Sequence, residues 1–181
     1  MIRSIKVFPL LLAAMLLAGV SVAQQSGRDE GIELYRAGKF AEAVTRLTEA
    51  ITADKKERQA GLYLAAAYKH LGKDKEALKA FQRTRGIKET NPPKYDSQVK
   101  ITSKRPFPIM GENSSPQSNY SVAIELRSDG TVGIIIPYMI AFIERTNAII
   151  ETAKKIKFEP AIKDGNPVTV IHVLEYTFQR Y

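Results

Sequence analysis

Residues 31–85 repeat themselves at one fixed displacement. Moving the chain by 34 positions sets Gly31 on Ala65, Leu34 on Tyr68, Gly38 on Gly72, Lys39 on Lys73, Ala43 on Ala77 and Leu47 on Phe81. Such self-similarity restricts the segment to stacked copies of one small unit, each covering its apolar face with the next. Gly31, Ala43, Ala65 and Ala77 are small, as two closely crossing helices require. Leu34, Leu47, Tyr68 and Phe81 fill the groove beside them. Gly38 and Gly72 end the first helix of each pair, where a left-handed residue costs little. The spacing predicts helices over 27–37, 40–53, 57–71 and 74–86, with Asp74 capping the last.

Thirty-four residues is the tetratricopeptide period, and residues 27–86 resemble two copies of that repeat. The resemblance implies a concave groove suited to peptides, to which Leu34 and Tyr68 contribute. Two copies fall short of the ~3 that bury a continuous core. The open helical face therefore needs a cover, supplied by the rest of the chain, by a second copy or by a partner.

The N-terminus reads as an export signal. Met1–Lys6 is short and basic, Val7–Val20 is almost wholly apolar, and Ser21-Val22-Ala23 has the small-x-small pattern of a signal peptidase site. Cleavage is expected between Ala23 and Gln24, giving a periplasmic protein. The competing expectation is an uncleaved inner-membrane anchor, although Val7–Ala23 falls short of the ~20 residues that span a bilayer comfortably. Cleavage removes Arg3 and Lys6 and no acid, so the formal charge of +8 drops by two. The remaining excess fits a solvated surface, and an exported location argues against nucleic acid. The chain has no cysteine, so apolar packing alone must hold it.

After the repeats the texture changes. Asn91-Pro92-Pro93, Arg105–Pro108 and Gly111–Asn119 are rich in breakers and poor in periodicity, and residues 87–118 read as a linker with an extended lead-in. Gln98–Thr102 is a candidate strand of its own. From Tyr120 the period is two: Tyr120, Val122, Ile124 and Leu126 alternate with Ser121, Ala123, Glu125 and Arg127. Asp129-Gly130 supplies a hairpin turn and Val132–Ile136 returns. Phe142, Thr146, Ile149, Ala153 and Ile156 share one helix face. Pro160 stops that helix, Asp164–Pro167 turns the chain, and Val168, Val170, His172, Leu174, Tyr176 and Phe178 line one face of a closing strand. The expected fold is α+β, with repeats at 24–86 and a strand-strand-helix-strand module at 119–181 whose sheet lies under one helix.

Over residues 97–181 this second module resembles the TonB C-terminal domain family. The matching pieces are Phe107-Pro108 for an aromatic-proline pair, Asp129-Gly130 ending the first strand, Phe158-Glu159-Pro160 ending the helix, and the glycine-turned final strand. The resemblance implies docking on the short N-terminal motif of outer-membrane transporters by adding a strand to the sheet edge. An energy-transducing TonB also keeps an inner-membrane helix and a proline-rich spacer. Here a cleavage site and a repeat block stand in their place, so only the docking function carries over.

Chemical readings have little to stand on. No zinc-binding HExxH, cysteine pair or glycine-rich phosphate loop occurs, and no cofactor or metal is expected. His70 ends a repeat helix, where terminal carbonyls are its expected partners. His172 falls on the buried register of the final strand, and the acids read as scattered surface charge. Binding is the better reading. The closing strand would offer its edge to an extended client, with Ile171, Val173, Glu175 and Thr177 tuning selectivity and Phe107-Pro108 beside them. The strand pairing internally, or with a second copy as a homodimer, are the alternatives. Two functions follow: a periplasmic adaptor gripping a protein segment, or an anchored, shortened member of the energy-transducing system serving TonB-dependent receptors.

Overall fold

The computed structural model describes residues 27–89, 92–103, 119–138 and 143–177. The apolar N-terminal stretch and Phe107-Pro108 lie outside them. The described residues begin with α1 (residues 27–36), followed by α2 (Phe40–Ala53), α3 (Arg58–His70) and α4 (Asp74–Arg83). Gly38 and Gly72 adopt φ of +76° and +71°. At these turns Lys39 N and Lys73 N donate back to Leu34 O and Tyr68 O, both at 2.9 Å, the same bond one repeat apart. The small residues serve close crossing, as expected: a Cβ on Gly31 would lie 2.7 Å from Leu47 Cδ2, and Ala43, Ala65 and Ala77 expose nothing.

Two details at α4 differ from the sequence reading. Asp74 is the first helical residue, and the cap position belongs to Lys73, which makes no side-chain cap bond. Asp74 instead accepts from Lys69 Nζ at 2.7 Å. The helix also stops at Arg83, because Thr84 turns its hydroxyl onto Phe81 O at 2.7 Å and residues 84–86 turn.

The second half holds β1 (Lys100–Ser103), β2 (Asn119–Leu126), β3 (Val132–Pro137), α5 (Ile143–Ala153), β4 (Lys157–Glu159), β5 (Ala161–Lys163), β6 (Asn166–Val168) and β7 (Val170–Thr177). The fold is α+β. β2 pairs antiparallel with both β3 and β7, giving the order β3-β2-β7. The β2–β3 turn is held by Asp129, whose Oδ1 accepts from Thr131 N at 2.8 Å and Thr131 Oγ1 at 2.6 Å. α5 ends at Ala153, before Ile156, which is buried beyond the helix. Phe158 and Glu159 lie in β4 rather than at a helix end, because β1 offers them a ladder. The Asp164-Gly165 turn closes a β5–β6 hairpin. Among the described residues no helix is long and apolar enough to cross a membrane.

The sheet is covered on both faces, not one. Val122, Ile124, Leu126, Leu174 and Tyr176 pack with Ile149 and Ala153 of α5. On the other face Ala123, Ile136 and Ile171 join the core of the repeats, with Ile134, Tyr138 and Val173 packed against it. The open helical face therefore finds its cover within the chain. A buried Ile is worth ~1.5–3 kcal/mol, so Ile136 and Ile171 alone make this junction a firm one. Alternation still governs β2, but both of its faces are inside.

Candidate protein-binding site

β7 stands at one end of the three-stranded sheet, fully paired on its inner side from Asn119↔Thr177 to Leu126↔Val170. Among the described residues no strand pairs with its outer side. In an antiparallel ladder a residue's N–H and C=O point to the same neighbour, and the direction alternates along the strand. Tyr138 N donates to Ser121 O at 2.9 Å, so the odd residues of β2 serve β3 and the even ones serve β7. Across the register of 122↔174 and 124↔172, the even residues of β7 face inward. The backbone groups of Ile171 and Val173 consequently point away from the sheet.

The outer rail has a closed end. Thr169 O accepts from Arg36 Nε of α1 at 3.1 Å and from Tyr63 Oη of α3 at 3.3 Å. The repeats thus hold the start of β7 in place, and among the described residues no strand pairs along that side beyond it.

The site residues read from sequence fall into different surroundings. Ile171 is buried and Val173 half-buried against the repeats, while Glu175 is exposed on the same face. Thr177 is the last residue of β7 and pairs with Asn119. Phe107 and Pro108 lie outside the described residues. Leu34 and Tyr68 are half-buried against the repeat core. His172 lies opposite Ile124 on β2.

A polar junction between repeats and sheet went unread in the sequence. Glu125 Oε1 accepts from Tyr35 Oη at 2.6 Å and lies 3.1 Å from His70 Nε2. Its Oε2 accepts from Arg127 Nε at 3.2 Å and Ile134 N at 3.1 Å, where β2 and β3 slip register. His70 therefore meets a carboxylate of the sheet, not the carbonyls of its own helix, and its ring stacks on Phe40 at 4.1 Å. Burial alone would raise the Glu125 pKa, but the bonds from Tyr35, His70 and the Ile134 amide hold it below the usual value. Burial and the adjacent carboxylate push the Tyr35 hydroxyl far up, so it stays a donor. The one sequence signal was Gly133: a Cβ there would fall on Glu125 Oε2. A glycine inside a strand marks such a close approach.

Residues 34–97 match the tetratricopeptide repeat family. The match runs through α2, α3 and α4, the elements whose equivalent turns and crossings are described above. Repeats of that family generally mediate contacts between proteins, which supports a protein-interaction role for this block. No curated protein matches the chain.

Proposed function

We propose that this protein is a periplasmic adaptor that binds an extended segment of a partner protein by strand addition to the outer side of β7. One observation carries the reading: the Tyr138-to-Ser121 bond fixes a ladder phase in which Ile171 and Val173 direct their backbone groups outward. An incoming strand would supply the missing ladder bonds, with main-chain pairing giving affinity and alternate side chains giving choice. The repeat block supports the same class of activity, and because the sheet covers its inner face, the partner surface shifts to the strand edge. The likeness of residues 97–181 to the TonB C-terminal domain supports one kind of client, the N-terminal segment of a TonB-dependent outer-membrane receptor. The signal-like N-terminus supports the compartment.

The test is Val173→Pro, which removes an outward N–H and no inward one. Labelled peptides copying the N-terminal segments of outer-membrane receptors are titrated into the full chain and followed by fluorescence anisotropy. The variant should keep its melting temperature and lose binding; a folded variant that binds unchanged would rule out strand addition at this edge.

A further inference from the structure

Where α3 begins and α4 ends, the helices stop short of the last row of the sheet and leave a cleft of about 220 Å³. Its floor is the row formed by Tyr138, just past the end of β3, with Ser121 of β2 and Glu175 of β7. Val173 lies one step along β7, on the same face and at the strand's outer side. Two guanidinium-bearing residues overhang this floor, Arg58 from the start of α3 and Arg85 from just beyond α4. Arg85 is positioned by Tyr138: its Nη1 donates to the hydroxyl at 3.3 Å and its Cζ stands 5.0 Å over the ring. Tyr138 is in turn braced edge-on by Phe81 at 5.8 Å. Arg58 is half-buried, and no ion pair or hydrogen bond engages it among the described residues.

We infer that this cleft receives a carboxylate side chain of the incoming strand, so that the client is an extended peptide carrying Asp or Glu opposite Val173. The inference rests on the strand-addition reading and adds the client's chemistry. A side chain opposite Val173 shares its face, and among the described residues the cleft there is lined by two cationic groups against one carboxylate, Glu175. A guanidinium binds a carboxylate through two parallel N–H donors, and a partly enclosed one gains more from the pairing than an exposed one. A lysine or arginine at that position would face Arg58 and Arg85. An acid placed opposite Glu175 instead would meet a like charge, so the acidic position is a specific one.

The experiment uses the full chain and three labelled seven-residue peptides of alternating Thr and Val, with Glu, Gln or Lys at the centre. The Glu peptide should bind roughly tenfold more tightly than the Gln peptide, the size of one charge-assisted hydrogen bond. That advantage should shrink with added salt. Arg58→Gln should erase the preference while leaving the Gln peptide's affinity and the melting temperature unchanged; Arg85→Gln, on an exposed side chain, gives a second reading if the first variant is unstable. Equal binding of Glu and Gln peptides overturns the carboxylate site and leaves strand addition standing. Preference for Lys, or a dimer of the chain that no peptide displaces, also overturns it. No binding by any peptide, with Val173→Pro equally inert toward receptor segments, removes both readings.

Discussion

The Tyr35 hydroxyl donates to Glu125 across 2.6 Å, tying the first repeat helix to the middle strand of the sheet. Glu125 is buried and takes four donors from three directions, so removing it strands Tyr35, His70 and Arg127 around an empty space. Glu125→Ala should cost about 3 kcal/mol, since breaking a buried charged network leaves its partners uncompensated. Urea unfolding measures this directly; a loss under about 0.5 kcal/mol, the range of ordinary surface changes, would mean that the junction is not held there.

Gly133→Ala should act through the same carboxylate. The added Cβ falls on Glu125 Oε2, and forcing the two apart should cost ~1–3 kcal/mol. In the Glu125→Ala background the same change should cost far less, because the obstructing atom is gone. A double-mutant cycle reads the coupling, and strict additivity would refute the contact.

Acid should loosen the junction in a defined window. The Glu125 pKa is lowered in the fold, so its ionised form contributes stability that is complete above the unfolded carboxylate value of about 4.3 and lost as pH falls through the folded one. Glu57 shifts the opposite way, raised chiefly by burial, and works against the trend. The stability gap between the native chain and Glu125→Gln should therefore hold from pH 7 to about 5 and close only below about 4. A gap that closes already between pH 7 and 5 would assign the effect to another group.

Ladder phase makes neighbouring prolines differ. Val173→Pro should leave the melting temperature near native, whereas Leu174→Pro deletes an inward N–H paired toward Val122 and should cost ~3 kcal/mol or more. Thermal melts compare them. Equal destabilisation would show that the outer side of β7 is already engaged.

The sequence made some levels of this structure readable and hid others. The repeat offset located all four helices, since Gly38, Gly72 and the small residues at the crossings act locally. The two-residue period located β2 and β7, and the Asp129-Gly130 turn located β3, for the same reason. What stayed hidden was the second cover on the sheet. Alternation in β2 places Ala123 and Glu125 on the polar side, yet a small residue and a carboxylate are what an interface with helices uses when a tyrosine and a histidine meet it. Only Gly133 hinted at that approach. The Gln98–Thr102 candidate did mark β1, but its ladder with β4 was illegible because the two segments are distant in the chain, and β5 and β6, at three residues each, carry no period.

Repeats separated from the sheet should behave poorly. A fragment of residues 27–89 would uncover Tyr35 and the flank of α3 that receives Ile136 and Ile171. Such a fragment should bind a hydrophobic dye and associate at micromolar concentration, as exposed apolar patches do. A monomeric, dye-silent fragment would mean the sheet is a lodger rather than a structural partner.

The donation from Arg36 and Tyr63 to Thr169 O carries a consequence for recognition. Under the proposed strand addition it would work as a doorstop: a guest strand would slide along the rail only until it met those two side chains. A limit at one end sets a reading frame, and a shift of one residue would turn every guest side chain toward the opposite layer. The helical block would then choose which letters of a client are read.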